Sequence, residues 1–253
     1  MVRLEFDGRL GVLVLDRPPV NAFDQRQLGE LEQAVSVLQQ RPDLGAVLIR
    51  TEGRLFSAGA DIGMIDQLFD RPSEMAALAN RLQAVFGRVE ALPAPTVAAI
   101  RGAATGGGLE LALACDFRIA ADDARLGLPE VLIGLIPGAG GTQRLSRIAG
   151  PVVAARLVLA GELVSGTEAA RLGIVQWAVP EAEVERRARA LAERLAGQSG
   201  PAMAAAKQCL AAAGSPGGYE KEIEMTERLM GTPEAQALVG AFLTRRGKGG
   251  RTE

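Results

Sequence analysis

The sequence contains no histidine. That absence excludes a Ser-His-Asp triad, a Cys-His pair and a His-ligated zinc, since each needs an imidazole. Acid–base chemistry near neutral pH must then come from a carboxylate, lysine, tyrosine or thiol whose pKa its surroundings have moved. Cysteine is scarce. Cys115 and Cys209 are too few for a disulfide framework or a thiolate metal site, and they suit a reducing cytosol. With one Trp, one Tyr and a net charge of −2, there is little to stack on bases or to hold polyanions, so neither nucleic acid nor an anionic membrane is an expected partner. No stretch approaches the roughly 18 uninterrupted apolar residues of a membrane span. Arg3, Glu5, Asp7, Arg9 and Asp16 interrupt the first twenty residues, so no signal-peptide core fits there. The expectation is a cytoplasmic protein.

What is present is an ordinary globular composition, 48% hydrophobic and 23% charged, over 253 residues. That length gives one large domain, or a domain with an appendage. Glycine is in excess, 31 residues, and much of it is clustered, which places tight turns or close backbone approaches in the fold. Residues 2–6 and 10–15 read as strands around Asp7-Gly8, and 24–40 as a helix with Asp24 placed to cap it. Residues 45–50 and 96–100 read as buried strands, with a helix over 73–91 between them. Strands at 117–121 and 125–128, a short helix opened by Pro129-Glu130, helices from Thr142 and beyond Pro151, and a strand over 174–179 follow. Residues 181–253 read as helical, with breaks at 197–200, 214–218 and 231–233 and a flexible basic tail from Arg245. Strand–strand–helix units followed by helices alone predict a layered α/β core carrying a helical C-terminal part.

Four local features could carry chemistry. Glu110 sits among Leu and Ala on a helix whose faces are all apolar, so it is expected to be buried, either in a salt bridge with Arg118 or Arg144 or in a functional role. Glu130 follows Pro129 in the first turn of a helix, where an anion is favoured with or without a function. Gly106-Gly107-Gly108 allows close backbone approach at a helix start, or is a tight turn. It has neither dinucleotide-binding spacing nor a P-loop lysine, and the Pro137–Thr142 run lacks that lysine too. Ala58-Gly59-Ala60-Asp61 offers small residues and then an Asp able to cap a helix.

Taken together, FSAGADI at 56–62, RGAATGGGLELALACDFRIA at 101–120 and LPEVLIGLIPGAGGTQRL at 128–145 resemble the crotonase superfamily, and within it the enoyl-CoA hydratase/isomerase branch. LDRPPVNAF at 15–23 and the pattern at 159–175 fit in order. The resemblance implies a ClpP-like spiral of repeated ββα units over residues 1–195, with an acyl-CoA site. It also implies a helical region over 196–253 that assembles the chain into a homotrimer, or a hexamer as a dimer of trimers. It implies no resident cofactor or metal, since coenzyme A belongs to the substrate.

By the same resemblance, the backbone N–H groups of Ala60 and Gly107 form the oxyanion hole for the thioester carbonyl. Glu110 then activates a water and Glu130 exchanges a proton at Cα. Arg17 matches an early basic position near the CoA phosphates. Ala58, Asp61, Ile62, Gly106, Pro129 and Gly138 fall on CoA or substrate contacts. Arg245, Arg246 and Lys248 could reach the nucleotide or serve solubility. Gly63 stands where many relatives carry a lysine, which removes one cation. Leu68, Phe69, Met75 and Leu78 either wall the acyl tunnel or pack the core. The implied activity is syn hydration of a 2-enoyl-CoA to a 3-hydroxyacyl-CoA. The alternatives are 3,2-enoyl-CoA isomerisation or an aromatic acyl-CoA hydratase-lyase on the same scaffold, and more distantly a non-catalytic acyl-CoA binding protein.

Overall fold

The structure is a computed structural model that describes residues 1–249, with side chains to residue 244. The chain forms two compact units, Met1–Gly197 and the segment from Gln198 on.

The first unit begins with an antiparallel hairpin, β1 (Val2–Asp7) and β2 (Leu10–Leu15). Helix α1 (Gln25–Gln40) follows, capped as expected by the Asp24 carboxylate, which accepts from the N–H of Gln27. Then come β3 (Ala46–Thr51), α2 (Ile62–Asp66), α3 (Pro72–Glu90), β4 (Thr96–Ile100), β5 (Ala104–Thr105), α4 (Gly107–Leu113), β6 (Phe117–Ala121) and β7 (Arg125–Gly127). A 3-10 turn (Pro129–Ile133), α5 (Gly141–Val158), β8 (Val164–Ser165), α6 (Gly166–Arg171), β9 (Trp177–Val179) and α7 (Glu181–Ala196) complete it.

Six strands form one sheet in the order β1-β2-β3-β4-β6-β9, parallel from β2 onward. Its central strands are buried apolar runs, as expected where both faces of a parallel sheet are covered. Helix α7 packs on β3, β4 and β6 with Val184, Ala188, Leu191 and Leu195 inward. The second layer is a narrow ladder. Ser57 bridges Ala104, β5 pairs with β7, and β7 pairs with β8. From β3 to α5, each turn of chain thus adds one strand to the large sheet, one short segment to the ladder, and then helix. This is the spiral of ββα units that the motifs implied.

One local difference has a physical cause. The strand expected from Ile174 starts only at Trp177. The N–H groups of Ile174 and Val175 donate instead to the carbonyl of Ala169, closing the end of α6. Around Pro151 the chain makes two helical stretches, as expected: the run Gly141–Val158 is broken at Gly150, whose φ of +84 and ψ of +163 are not helical.

The second unit consists of α8 (Gly200–Ala211), α9 (Gly218–Met230) and α10 (Pro233–Gly249). The backbone of α10 stays helical through Arg245, Arg246 and Lys248, where a flexible tail was expected. Their side chains, and Arg251, lie outside the described residues.

Candidate active site

The loop after β3 shows why small residues stand at 58–61. Asn21, buried at 1% exposure, donates through its amide to the carbonyls of Glu52 and Leu55, and its Oδ1 accepts from the N–H of Arg17. The hydroxyl of Ser57 donates to the Asn21 carbonyl at 2.8 Å and accepts from the N–H of Gly59 at 3.1 Å. The N–H of Ala58 donates to Val20, and that of Asp61 to Phe23. Of the four amides from Ala58 to Asp61, three are committed. That of Ala60 donates to no acceptor among the described residues.

The second amide comes from the triple glycine. Gly106 caps α4 with φ +53 and ψ −128, a backbone open to glycine and strained for other residues. Gly107 is the first residue of α4, so its N–H has no helical acceptor. The ladder sets the two amides side by side. Ser57 bridges Ala104, and the N–H of Thr105 donates to Ser57. A Cβ on Gly107 would stand 3.5 Å from the nitrogen of Ala60.

The same ladder delivers the carboxylates. Thr105 pairs with Gly127, and the N–H of Gly106 donates back to Gly127. Glu130, three residues beyond, is thereby laid over Gly106, where a Cβ would come within 2.8 Å of Glu130 Oε1. Glu110 lies one turn into α4 and is 2% exposed. It does not pair with Arg118 or Arg144, as the salt-bridge reading required. Its Oε1 accepts from the backbone N–H of Ala139 at 2.8 Å and of Gly141 at 2.7 Å. Arg118 is occupied by the carbonyls of Ile174, Ala112 and Cys115, and Arg144 pairs with Glu90.

Both carboxyls are drawn toward the neutral form. Burial pushes Glu110 up to about 7. The nearby Glu130 adds to the rise, while the two amides and the Arg144 charge oppose it. Burial also raises Glu130, whose Oε2 is buried with no hydrogen-bond partner among the described residues. An unpartnered buried carboxyl oxygen is costly unless water or a ligand meets it.

A cavity of about 760 Å³ joins these groups. Glu110, Glu130, Ala60 and Gly107 line its head, and its body is apolar, walled by Met75, Ala79 and Leu82 of α3 and by Leu132, Leu135 and Ile136 beyond the 3-10 turn. Ala58, Ile62, Gly106, Pro129 and Gly138 also line it, while Arg17 and Asp61 do not. Arg17 is held between Asp24 at 3.1 Å and Asp61 at 2.9 Å, so its charge is largely spent on the loop. The Arg17 guanidinium accordingly holds the Asp61 carboxyl below its usual range, and Asp61 also caps α2. Of the four candidate tunnel residues, Met75 and Leu78 reach the cavity. Leu68 is core, and Phe69 is exposed.

Sequence reasoning missed Ala79, Leu82 and the 135–137 segment. The recurrence of Met75, Ala79 and Leu82 along one helical face was a usable signal; Leu135 to Pro137 lie inside the 128–145 motif, which does not single them out. Among the described residues, no group of three or more His, Cys, Asp or Glu could hold a metal, and no helix is long and apolar enough to cross a membrane.

A pH-dependent stability follows from Glu110. Its carboxyl holds the proton more tightly when folded, so the stability it allows is fully present below the ordinary value near 4.5 and is lost as pH rises through about 7. The loss is on the order of 3 kcal/mol, and Glu130 acts in the same sense. Glu110→Gln keeps an acceptor for both amides. In chemical denaturation it should be more stable than the parent by about 2–3 kcal/mol at pH 8 and by less than about 1 kcal/mol at pH 5. Equal effects at the two pH values would remove the buried-charge account.

Comparison with known proteins bears on the chain as a whole. The sequence model of the enoyl-CoA hydratase/isomerase family matches residues 5–246. A probable enoyl-CoA hydratase of Bacillus subtilis is 40% identical over 250 residues, 97% of this chain and 96% of the relative. A crotonyl-CoA hydratase of Syntrophomonas wolfei is 39% identical over 195 residues, 76% of this chain and 74% of the relative. The crystal structure of an enoyl-CoA hydratase from Bacillus anthracis superposes with a TM-score of 0.91 at 31% identity, covering 96% of each chain. Ordered motifs, the spiral and a full-length match converge on one placement: this chain belongs to the enoyl-CoA hydratase/isomerase family.

Proposed function

We propose that the protein hydrates a 2-enoyl-CoA thioester to the 3-hydroxyacyl-CoA at this site. The observation that carries the reading is the convergence of a buried carboxyl, a half-buried one and two unpartnered amides at the head of one apolar cavity. The thioester carbonyl oxygen accepts from the N–H groups of Ala60 and Gly107. Charge that develops there as Cβ is attacked is met by preorganised donors, worth roughly 3 kcal/mol each. Water held against Glu110 adds its oxygen to Cβ and gives its proton to the Glu110 carboxylate. Glu130 gives a proton to Cα. Both additions come from the carboxyl side, hence syn, and a proton returning from Glu110 to Glu130 through the next water restores the pair. An isomerase moves a proton between two carbons of its own substrate and needs one carboxyl; the second one here favours hydration.

The active form is the pair carrying one proton, and its apparent pKa values belong to the pair. kcat/KM is expected to be bell-shaped in pH. It falls above about 7, as the last proton leaves the pair, and again in acid, when both carboxyls are neutral. A flat profile between pH 5 and 9 would contradict the shared proton. The direct test of the reading is crotonyl-CoA: the absorbance of the conjugated thioester should fall on adding enzyme, with 3-hydroxybutyryl-CoA as product. Binding without turnover across a series of acyl lengths would leave a carrier in place of an enzyme.

Ala58, Ile62, Gly106, Pro129 and Gly138 are assigned to the pantetheine and acyl path because they line the cavity. Arg17 and Asp61 are assigned to holding its entrance loop. The chemistry calls for no resident cofactor. A cytoplasmic homotrimer, or a pair of trimers, is the expected state. It is supported by exposed apolar residues on α9 and α10, among them Ile223, Leu238, Phe242 and Leu243. Light scattering on the purified chain tests the assembly.

A further inference from the structure

Resting on the hydratase reading, the structure assigns Arg144 as the positioning residue for Glu110, acting through the turn at 138–141 with Glu90 as its anchor. Arg144 belongs to the first turn of α5 and is 8% exposed. Its Nη1 donates at 2.8 Å to the carbonyl of Ala139, the residue whose N–H donates to Glu110 Oε1. Its Nε donates at 2.9 Å to Glu90 at the end of α3, the helix that walls the cavity. Glu90 also receives Arg147.

Two adjacent glycines make room for this arrangement on opposite sides of the turn. A Cβ on Gly140 would collide with the Arg144 guanidinium, and one on Gly141 would stand 2.9 Å from the Glu110 carboxyl. The guanidinium therefore grips one face of the turn while the other face holds the carboxyl oxygen. Both donors to Glu110 are backbone amides, which carry no fixed position unless the turn itself is fixed. Arg144 fixes it, and ties it to the substrate wall through Glu90.

The charges acting on Glu110 are those of Glu130 from the 3-10 turn and Arg144 from α5, with Glu90 and Arg147 behind Arg144. Two variants should therefore push Glu110 in opposite directions. Arg144→Met removes a cation and the grip on Ala139. Glu90→Gln keeps an acceptor for Arg144 Nε while leaving the guanidinium charge less compensated.

The experiment is carbon-13 NMR of glutamate-labelled protein, with the Glu110 carboxyl assigned by its absence in Glu110→Gln, alongside kcat and KM against pH. Arg144→Met should raise the Glu110 midpoint by about one unit, and Glu90→Gln should lower it. The alkaline limb of kcat/KM should move with each. kcat should fall about 10- to 100-fold in Arg144→Met with KM within about threefold, because the base is displaced and the acyl wall is not. Arg144→Lys should recover the midpoint but only part of kcat, since an ammonium lacks the fork that holds Ala139 and Glu90 together. Midpoints that stay put, or that move the same way in both variants, overturn the assignment; so does full recovery of kcat by Lys. Should Arg144→Met fail to fold, Glu90→Gln still decides by a lowered midpoint and Arg144→Lys by a parental midpoint with only part of kcat; a Glu90→Gln midpoint that stays or rises overturns the assignment. If the parent turns over no enoyl-CoA while the opposed midpoints appear, the hydratase reading falls and the coupling of Arg144 to Glu110 stands.

Discussion

Replacing Glu130 with Gln is expected to lower kcat for crotonyl-CoA by about 10²- to 10⁴-fold, and Glu110→Gln by a similar factor. Each change preserves shape and buries no charge, so the fold survives. Glu110→Gln can still accept from Ala139 and Gly141, so the turn around it stays in place. What is lost is proton exchange, at Cα for Glu130 and at water for Glu110. Butyryl-CoA, which has no double bond to hydrate, should bind to both variants within about threefold of the parent by calorimetry, since uniform binding uses neither proton. The double variant should be little worse than either single one. The two carboxyls act on one water and one pair of carbons, and groups that work as a unit are not additive. A single variant keeping more than a tenth of kcat would take that carboxyl out of the mechanism.

Gly59→Ala should cost about 10²- to 10³-fold in kcat by a different route. Gly59 has φ +92, and a Cβ there would stand 2.9 Å from both the nitrogen of Gly107 and the carbonyl oxygen of Thr105. Both are backbone atoms, one opening α4 and one in the ladder, so neither can swing aside as a side-chain end would. Either the amide of Ala60 or that of Gly107 must turn from the carbonyl it is aimed at. The backbone strain alone costs about 1–3 kcal/mol, lowering the melting temperature as well. The two losses are separable by carbonyl vibrational spectroscopy of a bound enoyl thioester: the parent should polarise the carbonyl and the variant should not. Gly29→Ala is the control. It lies within α1 with nothing within 4 Å of the added Cβ, and should leave kcat alone while raising stability slightly. A polarised carbonyl in Gly59→Ala would show that these amides are not the hole.

Much of the site was legible because its parts are local. The Asp24 cap, the buried runs of β3 and β4, and the 3-10 turn opened by Pro129 follow from residue types at short spacing. Family motifs point to Glu110, Glu130, Ala60 and Gly107 from the sequence alone, and all four line one cavity. The partners of Glu110 were not legible. The sequence offered two arginines, and the structure uses two backbone amides 29 and 31 residues away. Backbone N–H groups exist at every non-proline residue, so composition cannot mark the pair that matters. Arg17 is a similar case: its charge is visible in the sequence, but the carboxylates of Asp24 and Asp61 that hold it are not.

From the sequence alone come the longer helices and the buried strands, the chemical identity of the acids and the glycines that let backbone come close, because these depend on residue type and near neighbours; the two-residue strands β5 and β8 do not. Only the tertiary structure decided which amides remain unspent, which oxygen of which carboxyl stays bare, and what holds the 138–141 turn. Those are outcomes of ladder register and burial, and a hydrogen bond once taken by Val20, Phe23 or Gly127 is withdrawn from the site by a residue far away in the chain.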